Sequence, residues 1–210
     1  MAKEEKHQMN QNTIFKLNGR NNLIDVENTG FNIGKVKVTF LEYAKQGTGF
    51  KATKRIVFFL SFEELFALKA RYHNGSLERK LRENVQKARA TKSYVESLLY
   101  LQRGSTVGGK LMARTLTLTS GTKKPWVLIA EQGPGKKVGE GLVTFADKQN
   151  RERVSLAMDV MQFAGFLETV AVHIQAYLAS QYANGNIKTT WDNYQGDNQM
   201  EDAGNGGFWG

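Results

Sequence analysis

Two hundred and ten residues, 40% hydrophobic and 23% charged, suffice for one large domain or two small ones and argue against wholesale disorder. The chain has no cysteine, which excludes a disulfide scaffold, a thiol nucleophile and thiolate metal sites. His7, His73 and His173 show none of the short spacings of a histidine metal site, so no cofactor is expected, and the formal charge is +9, from 29 basic and 20 acidic side chains.

Residues 1–12 are polar and lack the apolar core of a signal peptide, which predicts a soluble, cytoplasmic protein. Residues 1–30, rich in asparagine with apolar islands at 14–17 and 23–26, read as a flexible N-terminal arm. Residues 35–43 read as a strand. Alternation puts Val36, Val38 and Phe40 on one face and Lys35, Lys37, Thr39, Leu41 and Tyr43 on the other. A turn at 46–49 leads to a strand over 54–60, apolar on both faces near its end and therefore expected to be central. Ser61 and Glu64 fit a capping box opening a helix to about Tyr72. A second helix is expected over 76–92, with Leu77, Leu81 and Val85 four apart.

Strand patterns return over 93–101 and 111–119, the latter alternating Thr115, Thr117 and Thr119 with Arg114, Leu116 and Leu118. A hairpin turn at 120–122, a return strand at 126–130, a turn at 133–137 and a strand at 141–145 follow. Residues 154–182 give the strongest helical pattern, with Val160, Phe163, Leu167, Val170, Ile174 and Tyr177 spaced by three and four. Such a helix would be roughly 43 Å long. Asp159, Gln162, Glu168, His173 and Gln175 argue against a membrane span, so no membrane partner is expected. Apolar surface beyond the seam, from Met158, Met161, Ala164, Phe166 and Ala171, predicts a homo-oligomer. Gly165 suggests a close packing contact, and His173 reads as a core histidine. The expected organisation is an arm (1–30), a mixed α+β domain (31–183) and a disordered acidic tail (184–210). The fold class is α+β, with an antiparallel twisted β platform and a long C-terminal helix. An oligonucleotide-binding β-barrel with added helices is the alternative.

Positive charge is unevenly placed. From Gly185 onward one base, Lys188, faces Asp192, Asp197, Glu201 and Asp202, so a net of −3 there leaves +12 on residues 1–184. Basic side chains concentrate in 35–55, 69–92 and 103–137, while 154–187 contain no lysine or arginine. A basic body with an acidic end points toward a polyanionic partner.

Enzyme signatures are missing. Gly104 to Lys110 has phosphate-loop spacing, yet Leu111 stands where a magnesium-binding hydroxyl is needed and a threonine-rich strand follows, so a basic hairpin loop is the better reading. Gly133, Gly135 and Gly139 miss the dinucleotide spacing and read as a turn. No nucleophile elbow occurs, and the capping role accounts for Glu64. What remains is basic residues interleaved with aromatics: Lys35, Lys37, Tyr43, Lys45, Phe50, Lys51, Lys54 and Arg55, then Arg114, Lys123, Lys124, Trp126, Lys136 and Lys137. Cations along a backbone and aromatic faces for unstacked bases are what single-stranded nucleic acid requires.

The acidic end with Asp197, Glu201, Asp202, Phe208 and Trp209 resembles the tails of single-stranded-DNA-binding proteins of bacteria and their phages. That resemblance implies DNA replication or recombination, with the tail contacting partner proteins and competing with DNA. The body is similar in architecture to the Whirly and positive-cofactor-4 group, in which four antiparallel strands precede a helix. Residues 94–182 fit that order and 35–72 a shorter version, while the helix at 76–92 departs from it. The expectation is a non-enzymatic, non-sequence-specific single-stranded-DNA binder. A phage structural or assembly protein and a duplex DNA or RNA binder are the alternatives.

Overall fold

The computed structural model describes residues 12–47, 49–91, 96–139, 141–147 and 149–187. The described residues form a mixed α+β fold with two antiparallel sheets, one curled into a half-barrel, and three α-helices, the last of them the long C-terminal one. Two compact units are distinguished, residues 1–173 and 174–210. The first holds both sheets, two helices and the beginning of the third. The second holds the rest of that helix and residues 184–187.

In the first sheet β1 (Thr13–Asn18), β2 (Asn22–Glu27), β3 (Lys35–Gln46) and β4 (Gly49–Ser61) lie side by side in chain order. Residues 13–27, expected to be part of a loose arm, are thus a hairpin whose second strand pairs with β3 from Asn22↔Glu42 to Glu27↔Lys37. The correction has a simple cause. The two apolar islands put Phe15, Ile24 and Val26 against the core, and asparagine-rich flanks hid a strand signal of only a few residues. Val36, Val38 and Phe40 are buried as their alternation predicts, together with Ile56, Phe58 and Leu60 opposite them. The strand over 54–60 is not central: β4 is a sheet edge.

β4 passes into α1 (Phe62–His73) with no loop residue between them. The Ser61 hydroxyl accepts from the Glu64 N–H at 3.1 Å and the Glu64 carboxylate accepts from the Ser61 N–H at 3.0 Å, the reciprocal cap that the sequence predicts. Leu65 and Leu68 bury the inner face of α1. α2 (Ser76–Thr91) follows, anchored by the buried Leu77 and by Asn84, whose amide donates to the Glu96 carbonyl.

The second sheet contains β5 (Leu99–Val107), β6 (Lys110–Ser120), β7 (Trp126–Val138) and β9 (Glu152–Met158), with β8 (Leu142–Phe145) pairing the far end of β7. The turn expected at 133–137 is strand instead. Gly133 and Gly135 are small because neighbours approach closely, a Cβ on Gly135 coming within 2.8 Å of Val143 in β8. Residues 154–158, expected to begin the long helix, form β9, with Val154, Leu156 and Met158 buried at period two. α3 (Val160–Ala183) begins after Asp159, whose carboxylate accepts from the Gln162 N–H at 2.8 Å while the Gln162 side chain accepts from the Asp159 N–H at 3.1 Å. A second capping box therefore ends β9 and starts α3, which at 24 residues is roughly 36 Å long.

The core of the first unit lies between the sheets and α1. Trp126 stacks on Phe163 with centroids 4.8 Å apart and planes 20° apart, and Tyr72 meets both edge-on. Phe15 meets Phe166 edge-on at 5.6 Å. Two smaller expectations fail on α3: His173 is exposed, and a Cβ at Gly165 would meet nothing within 4 Å. Among the described residues no helix is long and apolar enough to cross a membrane.

Candidate nucleic-acid interface

The ladder between β3 and β4 fixes which side chains share a face, because directly opposed residues in an antiparallel pair project to the same side. Lys37 opposes Phe59, Leu41 opposes Arg55, and Lys45 opposes Phe50. Between Glu42↔Lys54 and Tyr43↔Ala52 the register shifts, leaving Thr53 as an extra residue. Without that bulge Phe50 and Arg55, five apart, would face opposite ways; with it they share one face. Lys35, Lys37, Tyr43, Lys45, Phe50 and Arg55, all singled out from the sequence, therefore form one stripe on the face away from the core. Ten residue steps from Lys35 to Lys45 span roughly 33 Å.

At the tip of the hairpin Phe50 is 75% exposed. Lys45 and Lys51 line a shallow depression there. Lys51 opposes Ala44, and Lys54 opposes Glu42 and pairs with it at 2.8 Å, so these two lie on the reverse side of the hairpin. Lys37 is held by Glu27 at 2.8 Å. Tyr43 is half-buried, and burial, with the nearby Asp25 carboxylate, pushes its phenol above the ordinary value, so it stays protonated and neutral.

At the other end of the stripe a cleft of about 250 Å³ opens beside β4. It is lined by Lys35, Val57 and Phe59 and, from β5 and β6, by Arg103, Ser105 and Arg114. Arg103 and Arg114 oppose each other directly across β5 and β6. Arg103 pairs with Glu64 and lies over the Phe58 ring, 5.8 Å from its centroid. Arg114 donates to the Ser105 hydroxyl at 2.5 Å and, at 3.4 Å, to the Gln132 amide oxygen. Phe59, 40% exposed, and Arg103 line this cleft although neither was among the candidates read from the sequence.

The remaining candidates go elsewhere. Trp126 is 1% exposed and belongs to the aromatic core, so it offers no face to a base in this structure. Lys124 donates to Gln162 at 2.7 Å and lies 3.8 Å from Asp159, beside the start of α3. Lys123 is exposed in the connection from β6 to β7. Lys136 and Lys137 are exposed on the part of β7 that pairs with β8, apart from the β3–β4 stripe in the ladder. Asp197, Glu201, Asp202, Phe208 and Trp209 lie outside the described residues. The glycine-lysine segment 104–110 is a hairpin, with Gly108 and Gly109 both left-handed at φ 55° and 77°, as a tight two-residue turn requires. It has no helix N-terminus to receive a phosphate.

No protein-family model matches the chain, and searches of curated proteins and of solved structures return no match.

Proposed function

We propose that the protein binds single-stranded DNA without sequence preference, in replication or recombination. The observation carrying this reading is the β3–β4 stripe, where exposed aromatics, Phe50 and Phe59, alternate with Lys45, Arg55 and Lys35 along one face. Cations neutralise successive phosphates while rings accept unstacked bases, and neither reads base identity. Antiparallel strands preceding a helix, four in the first half and five in the second, are compatible with the Whirly and positive-cofactor-4 resemblance. The acidic tail residues Asp197, Glu201, Asp202, Phe208 and Trp209 contact partner proteins in this proposal. The protein acts as a homo-oligomer, supported by Met161, 81% exposed, and Val172, 57% exposed, on a helix without lysine or arginine.

Fluorescence anisotropy with labelled oligo-dT, a hairpin duplex and RNA at two salt concentrations tests the reading. Preference for oligo-dT, with log affinity falling by about 0.7 per phosphate neutralised against log salt, supports it. The Lys45→Glu/Arg55→Glu variant, both changes on the stripe, is expected to lose most of that affinity. Equal binding to all three ligands, abolished by moderate salt, would overturn it.

A further inference from the structure

The cleft at the end of the stripe has properties that a non-specific cationic track does not need. Its first is backbone that turns outward from the ladder. Phe62 N–H donates to the Gly34 carbonyl, so in the adjoining ladder the even-numbered residues of β4 bond to β3 and the odd-numbered ones turn outward. Two odd positions show this directly. The Arg55 carbonyl accepts from Gln132, and the Ser61 N–H donates to Glu64. Val57 and Phe59 accordingly turn their N–H and C=O groups away from β3 on the side of the cleft that both residues line.

Its second property is concentrated, like-signed charge. Arg103 and Arg114 are directly opposed, an arrangement that costs stability in a sheet. Lys35 adds a third cation, and Glu64 is the carboxylate paired with Arg103, whereas Arg114 hydrogen-bonds the neutral Ser105 and Gln132. An anion between the two guanidinium groups would relieve that repulsion. The third property is an apolar wall, supplied by Val57 and the partly exposed ring of Phe59.

We infer that this cleft captures a single nucleotide of the bound strand, base and phosphate together. The inference rests on the single-strand reading above. The phosphate lies between Arg103 and Arg114, and the base lies against Phe59 with its pairing edge toward the outward N–H and C=O groups of β4. In a strand one residue's N–H and C=O point the same way. Such a pair meets the adjacent donor and acceptor on the pairing edge of any base, so the cleft anchors a strand without selecting its sequence.

Titrating the isotope-labelled full-length protein with thymidine monophosphate, thymidine and inorganic phosphate, read by amide chemical shifts, tests this. The monophosphate is expected to shift Val57, Phe59 and Gly104 and to bind at least tenfold tighter than either fragment. Arg114→Gln should weaken it at least fivefold, and Phe59→Ala, a change at an exposed side chain, gives the same test if Arg114→Gln disturbs folding. Oligo-dT binding by the wild type with no response to the monophosphate at these amides would overturn the cleft and leave the strand-binding reading standing. Inorganic phosphate binding as tightly as the monophosphate would overturn it too, showing an anion site that ignores the base. Failure to bind oligo-dT at all would remove the reading on which the cleft depends.

Discussion

The two halves of the chain repeat one plan and use it differently. In each, antiparallel strands run out to a helix that starts without a loop at a reciprocal cap, Ser61 with Glu64 in the first half and Asp159 with Gln162 in the second. The first half extends its β3–β4 hairpin well past the core and leaves Phe50 and Phe59 exposed beside cations. In the second half the large aromatic, Trp126, is buried, the hairpin tip is glycine, and the partly exposed threonines of β6 are Thr117 and Thr119. An aromatic flanked by lysines is therefore a surface feature in one half and a core feature in the other. What separates them is register. Trp126 opposes Ser120 and Met158 on the face that meets α3, whereas Phe50 is placed by a bulge on the face that meets solvent.

The largest expected effect tests that contrast directly. Trp126→Ala should cost about 3–5 kcal/mol of stability, read by denaturant unfolding, because it removes a fully buried ring stacked on Phe163. A loss below 1 kcal/mol would mean Trp126 is not core. Phe50→Ala should leave stability within about 0.5 kcal/mol. It should cost about 1–3 kcal/mol of oligo-dT binding if one base stacks there. Charge reversal sharpens the same contrast, since Lys123→Glu/Lys124→Glu should weaken oligo-dT binding less than Lys45→Glu/Arg55→Glu, Lys124 being tied to Gln162.

Smaller effects probe the shared plan. Ser61→Ala and Asp159→Ala should each cost about 1 kcal/mol if the two caps are equivalent; thermal unfolding of both variants would show an inequality. Gly165→Ala should raise stability by up to about 1 kcal/mol, since a methyl there meets open space. A loss instead would show that face of α3 covered by a second copy.

One difference in pH response is also expected. Lys69, and after it His73, hydrogen-bond the Glu168 carboxylate and hold its pKa below the ordinary 4.5. The folded value lies below the unfolded one, so the contribution is present above pH 4.5 and is lost as pH falls through the folded value. Glu168→Gln should therefore flatten the loss of stability below pH 4.5, and unchanged acid unfolding would remove this contact from the account. The group is partly exposed and the effect should be small.

Local signals in the sequence were faithful where one element decided the outcome. Val36, Val38 and Phe40 alternate inward as read, and Ser61 caps α1 as read. They failed where a partner decided. Val154, Leu156 and Met158 fall at the start of the apolar stretch that reads as helix, yet they pair with Ala130, Leu128 and Trp126, and the stop was written in the aspartate and glutamine at 159 and 162. Gly133 and Gly135 signalled a turn because the close approach of Asn150 to the first and of Val143 to the second cannot be seen along the chain. The candidate interface divided in the same way. Alternation along β3 placed Lys35, Lys37 and Tyr43 together. Phe59 was hidden inside an apolar run because nothing local shows that β4 is an edge.

The loop-free passage from β4 into α1 has a consequence for how the gene could tolerate change. One codon inserted between Leu60 and Phe62 would turn the helix by about 100° and carry Leu65 and Leu68 off the core, with no slack to absorb it. The Gly108–Gly109 tip, exposed and joined to nothing beyond its own hairpin, is where the same insertion would pass unnoticed, so length variation among variants of this chain should collect at the hairpin tips and spare both strand-to-helix junctions.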